Sequence, residues 1–118
     1  MLFKIQNATA KLANRAGTID RWQIYICVEF LDIENQGSKK HNKIMSKVSK
    51  FMMHLMKNEI GINCTMSSVG PAVYSYKNSD DKHSWFGKFD VFSADNNDEQ
   101  IGYMIWWLSS CKGREFEI

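Results

Sequence analysis

Cysteine and proline are scarce in this chain. Its 118 residues include three cysteines and one proline, Pro71. The cysteines, Cys27, Cys64 and Cys111, lie far apart, are odd in number and are never spaced as C-x-x-C. This pattern argues against a disulfide framework and against a zinc ribbon. We therefore expect reduced thiols and a cytoplasmic protein.

Long hydrophobic runs are also missing. No stretch of about 18 apolar residues is present, so we expect no membrane-spanning segment and no membrane partner. The N-terminal sequence MLFKIQNATAK lacks a basic region followed by a long apolar one, which is not typical of a secretion signal. Hydrophobic residues make up 44% and charged residues 24% of the chain. These values and the length predict one globular domain over residues 1–118.

Catalytic motifs are absent as well. The sequence holds no glycine-rich dinucleotide fingerprint, no phosphate-binding P-loop and no H-E-x-x-H zinc motif. Asp80, Asp81 and His83 form the best local cluster, because carboxylates and an imidazole can ligate a divalent metal or act as a general base. Such clusters are common in solvated loops. We therefore expect no catalytic residue, no metal and no cofactor, and a small hydrolase or nuclease centred on His83 is the weakest alternative.

Positive charge is concentrated in one segment, KKHNKIMSKVSKFMMHLMKNE. Residues 39–58 contain six lysines and no acidic residue, so the rest of the chain has nine basic residues against thirteen acidic ones. The net charge of +2 therefore conceals a basic element on an acidic body.

Helical spacing of apolar residues runs through the same segment and predicts a helix over 39–59. Ser38 is suited to the N-cap and Gly61 to the position after the helix. The apolar stripe consists of Ile44, Met45, Val48, Phe51, Met52, Leu55 and Met56. The opposite sector, about 80° wide on a helical wheel, holds Lys39, Lys43, Lys47, Lys50, His54 and Lys57.

The lysine sector has more than one interpretation. It is a solvated face, an acidic protein's docking site, or a contact for nucleic-acid phosphates. A solvated face is usually interspersed with glutamates, because like charges at i,i+4 cost about 0.2–0.5 kcal/mol per pair. The sector contains no arginine and the rest of the chain is acidic, which favours a protein over nucleic acid. Binding of nucleic acid by this helix is the alternative.

The flanking segments read as strands. Residues 21–33 are rich in β-branched and aromatic types, and one face carries Trp22, Ile24, Ile26, Val28 and Phe30. Residues 2–12 are a weaker candidate that would pair with them, and two short strands follow the helix. The sequence predicts an α+β fold in which one long amphipathic helix packs on a curved antiparallel sheet, in the order β-β-α-β-β-β-β.

An aromatic hairpin is predicted near the C-terminus, with SWFGKFDVF and IGYMIWWLSS as its arms. Alternation places Trp85, Phe89, Tyr103 and Trp107 in the core. Phe86, Phe92 and Trp106 then form a second apolar face, covered by sheet curvature, by a partner protein or by a homodimer.

Small size, no catalytic motif and two candidate interfaces make this chain resemble, in type, the small immunity and inhibitor proteins of bacteria and their phages. The resemblance implies a non-enzymatic inhibitor that blocks a toxin, nuclease or defence enzyme. A nuclease's basic surface would instead select the acidic loop residues, which are Asp80, Asp81, Asp95, Asp98 and Glu99.

Overall fold

The fold is α+β, with an antiparallel sheet and two helices. A computed structural model describes residues 1–16, 19–32, 38–66, 75–77, 83–94 and 98–118. The elements, in chain order, are β1 (Leu2–Ala16), β2 (Ile19–Phe30), α1 (Ser38–Ile60), β3 (Thr65–Met66), β4 (Ser75–Lys77), β5 (His83–Ala94), α2 (Asp98–Cys111) and β6 (Glu115–Glu117). The predicted class is confirmed. The predicted order with a single helix is wrong, because a second helix stands where the last long strand was expected.

Three long strands form the centre of the sheet. The strands follow the order β3-β5-β2-β1-β6, and β4 also pairs with β5. Ala8 of β1 pairs with Ile26 of β2, and Ile26 pairs with Gly87 of β5, so these three residues share one face. β1 has register shifts between Ile5 and Asn7 and between Leu12 and Asn14. Because each shift moves the apolar positions by one residue, β1 lacks a regular alternation in the sequence.

Both helices pack on the sheet face that carries Ala8, Ile26 and Gly87. α1 lies over β5, and α2 lies over β1. Ile24, Ile26 and Val28 are fully buried, as their alternation predicts. The rest of the fully buried core comes mainly from β1, β5 and the two helices and includes Phe3, Ile5, Met45, Val48, Met52, Met56, Phe89, Val91 and Met104.

The long helix α1 is confirmed and starts one residue earlier and ends one residue later than predicted. Gly61 follows it with φ of 71°, a conformation that glycine adopts without strain and that commonly ends helices. Val48 and Met52 are fully buried, while Phe51 is only half-buried. Phe51 packs edge-on against Phe3 and Phe116, with ring centroids 6.0 and 5.1 Å apart.

The segment IGYMIWWLSS is a helix, which corrects the predicted hairpin. Met104, Trp107, Leu108 and Cys111 are all buried, and their spacing is that of one helix face. The aromatic and β-branched residues that favour a strand are outweighed by this packing. Trp85, Phe89 and Trp107 lie in the core as predicted, but Tyr103 was expected there and is 58% exposed.

Glu59, the one acidic residue of α1, connects that helix to α2. Trp107 Nε1 donates a hydrogen bond to Glu59 Oε1 at 2.9 Å. Arg114, beyond α2, bonds both carboxylate oxygens at 2.9 and 3.0 Å. Hydrogen bonds from Arg114 and then Trp107 lower the pKa of Glu59. Trp107 is buried beside this contact, and the residue before it, Trp106, is 63% exposed.

Candidate functional site

Exposed aromatic side chains lie along the outer side of α2. Trp106 is 63% exposed, Tyr103 58% and Ile105 47%. The rings of Tyr103 and Trp106 meet edge to face with centroids 6.3 Å apart. Because one side of α2 is buried against the sheet, Tyr103 and Trp106 occupy its outer side, whereas Ile105 lies on the flank of the helix next to Ala8 and Ala10 of β1. We call the surface formed by Glu99, Gly102, Tyr103 and Trp106 the α2 face.

A notch in the α2 face lies beside Trp106. It is a shallow depression lined by Glu99, Gly102, Tyr103 and Trp106. A Cβ atom placed on Gly102 would meet no other atom within 4 Å, so neighbouring side chains leave this position open. Aromatic walls next to a carboxylate suit an apolar or cationic side chain, since the ring faces and the carboxylate both attract positive charge.

The lysines of α1 form an exposed row. Lys43, Lys47, Lys50, His54 and Lys57 are all exposed, on the side of α1 opposite its buried residues. The side chain of Lys39 lies outside the described residues. We call the five exposed residues the basic face. The placement predicted from helical spacing is confirmed for these five, whereas their role in binding stays a prediction.

The two surfaces both belong to the layer of helices. α1 and α2 lie on one face of the sheet, and each buries the side that contacts it. The basic face and the α2 face therefore both point away from the sheet. A groove lined by Ile60, Gly61 and Ile62 together with Glu99, Gln100 and Tyr103 joins the end of α1 to the start of α2. A molecule lying on the helix layer can contact both surfaces.

The predicted aromatic surface of Phe86, Phe92 and Trp106 does not exist as one patch. Phe86 and Phe92 lie on β5 and point to the sheet face opposite the helices, because they alternate with the inward Trp85, Phe89 and Val91. Phe92 is 49% exposed there. Trp106 lies on the other side of the molecule. The prediction failed because a helix was taken for a strand, which placed Trp106 on the wrong element.

Most of the acidic loop residues predicted to bind a partner lie outside the residues that the structure describes. Asp80, Asp81 and Asp95 lie outside the described residues, as do the side chains of Asp98 and His83. Glu99 is exposed and belongs to the α2 face. Within the described ranges, no group of three or more histidine, cysteine, aspartate or glutamate side chains is placed to hold a metal ion.

The thiols of Cys64 and Cys111 lie in environments that work against nucleophilic chemistry. The Cys64 thiol donates to Met56 Sδ at 3.3 Å, and burial raises its pKa to about 12. Burial likewise raises the pKa of Cys111. A nucleophilic cysteine requires a lowered pKa, so these two environments do the opposite of what such chemistry needs.

In comparisons with known proteins, no protein-family model, no curated protein and no solved structure matches this chain. Among the described residues, no helix is both long and apolar enough to cross a membrane.

Sequence reasoning missed Gly102, Tyr103 and Ile105 as surface residues. Their helical spacing relative to the buried Met104 and Leu108 was a signal that could have found them. The acidic start of the segment, DEQ, and Gly113 after its end are also typical of a helix.

Proposed function

We propose that this chain is a non-enzymatic binding protein that inhibits one partner protein by covering part of its surface. The observation that carries the proposal is the α2 face, where Trp106 and Tyr103 stand more than half exposed on a helix. Tryptophan and tyrosine are enriched among residues that dominate binding energy at protein interfaces. Because the helix is packed on the sheet, the anchors are presented with little loss of conformational freedom on binding.

Outside α2, the exposed large apolar side chains in the described part of the chain lie on the strands or just after them. They are Ile19, Tyr25, Leu31 and Phe92, and none is more than 49% exposed. Tyr103 and Trp106 on the α2 face are more exposed than any of these, and their rings are in contact. Patches of this kind on a protein surface commonly mark interaction sites.

The experiment is affinity capture from the native cell, with the immobilised protein compared with two variants. Trp106→Ala removes the anchor, and Phe92→Ala removes an aromatic side chain of similar exposure on the opposite sheet face. We expect a protein that the parent and Phe92→Ala retain and that Trp106→Ala loses. Retention of the same proteins by all three would contradict the proposal. Capture of further copies of the chain alone would replace the inhibitor with a homodimer.

Nucleic-acid binding is the second candidate, and the basic face favours it. The exposed lysine row could follow a phosphate backbone without reading sequence. Glu99 on the adjoining α2 face works against it, because a carboxylate repels phosphate. Binding to single-stranded oligonucleotides at low salt would support this candidate, and absence of binding there would remove it.

A further inference from the structure

We infer that the partner's contact surface is of mixed charge: acidic where it meets the basic face, and apolar with a neighbouring cationic side chain where it meets the α2 face. The inference rests on the proposed function, since it specifies the partner of the same surface. In the sequence, the lysine row and the aromatic residues are separate features. We infer that both belong to one interface and contact the same partner protein.

The basic face requires an anionic counterpart. Its four lysines extend over about 21 Å, from Lys43 to Lys57, at about 1.5 Å per residue. No acidic residue precedes Glu59 in α1, and both oxygens of Glu59 are engaged by Arg114. The row therefore has no acid within its own helix to neutralise it, and a partner with acidic side chains would complement it.

The α2 face requires something different. Glu99 lines the notch together with Tyr103 and Trp106, so an anionic group entering the notch would meet a carboxylate. An apolar side chain entering the notch would pack against the exposed sides of Tyr103 and Trp106, and a lysine or arginine beside it would be attracted both by Glu99 and by the ring faces. The same carboxylate also lines the groove that leads to the end of α1.

The basic face is positively charged, whereas the α2 face carries the negative charge of Glu99. This difference in charge distinguishes a protein partner from a nucleic acid. A nucleic acid is anionic along its whole length, so a strand on the basic face that continued across the groove would bring phosphate to Glu99. A protein surface can present acidic side chains to α1 and an apolar and cationic pair to α2. The arrangement therefore fits a protein better than a nucleic acid.

The test uses the captured protein and a 30-residue oligo(dT) as probes, with binding kinetics followed at several salt concentrations. Lys43→Gln/Lys47→Gln should slow association with the captured protein about tenfold at low salt, because steering by exposed charges governs encounter. The difference should vanish near 1 M salt, where the screening length falls to about 3 Å. Lys4→Gln/Lys11→Gln is the matched control, since both lysines are exposed on β1.

Glu99→Lys tests the contribution of the negative charge on the α2 face. It should weaken binding of the captured protein about tenfold, whereas Glu117→Lys, at an exposed position of β6, should leave it unchanged. If the captured protein responds to Trp106→Ala but to neither charge change, the mixed-charge inference is wrong and the proposed function stands. If no protein is captured, both are wrong. Oligo(dT) binding that Glu99→Lys strengthens would then assign the surface to nucleic acid.

Discussion

At the scale of single residues, Gly87 sets the distance between α1 and the sheet. A Cβ atom there would lie 2.9 Å from Ser49 Oγ and 3.0 Å from Met45 Cε. We expect Gly87→Ala to lower the free energy of unfolding by about 1–3 kcal/mol, because the core is too tightly packed to accept the methyl group. Urea denaturation measures the change.

Ser49→Ala provides the control for this prediction. Ser49 Oγ is buried without a hydrogen-bond partner, so its removal alone should be neutral or stabilising. In the double variant Gly87→Ala/Ser49→Ala the nearest clash is gone, and most of the lost stability should return. A double variant as unstable as Gly87→Ala would show that the contact with Ser49 Oγ is not the cause.

Cys64 leads to a prediction about pH. Because burial raises its pKa to about 12, the native thiol should react with a disulfide reagent at pH 8 roughly fifty- to a hundredfold more slowly than an unfolded thiol of pKa about 8.5, since the smaller thiolate fraction outweighs the greater nucleophilicity of that thiolate. The raised pKa also means that its contribution to stability is complete below about pH 8.5 and declines as pH rises toward 12. Site-resolved mass spectrometry of native and urea-unfolded protein measures the rates, and equal rates would contradict the burial.

At the scale of elements, the helical state of α2 can be tested at Gly102. Its Cβ position is open, so Gly102→Ala should raise the free energy of unfolding by about 0.8–1 kcal/mol through helix propensity alone. The same change at Gly87 should have the opposite sign. A destabilised Gly102→Ala protein would contradict an exposed helical site at this position.

The two helices differ in how far the sequence could predict them. α1 carries a wide apolar stripe, a solvated opposite side and a terminal glycine, and each feature indicates the same helix. In α2 the residues Tyr103, Ile105 and Trp106 have strand propensity and are also apolar on the exposed side. A helix that keeps large apolar residues outside lacks the contrast between faces on which periodicity depends.

At the scale of the whole molecule, the candidate surface could be predicted only in part. The exposure of Lys43, Lys47 and Lys50 follows from spacing within one helix. That the end of α1 lies beside Glu99 and Tyr103 of α2 does not, because the position of α2 depends on contacts between distant segments. Glu59 with Trp107, 48 positions apart, is one of them. The pattern of residues within one helix or strand does not show which other element that helix or strand contacts.

The most direct test of the central claim, that the α2 face contacts a partner protein, is site-specific photocrosslinking in the native cell. A benzoylphenylalanine replaces Tyr103 in one version of the protein and Phe92 in another, so that both versions carry an exposed reactive ring and both keep Trp106. We predict a single protein crosslinked from position 103 and absent from position 92. Crosslinks of equal yield and identity from both positions, or none from position 103, would contradict the claim.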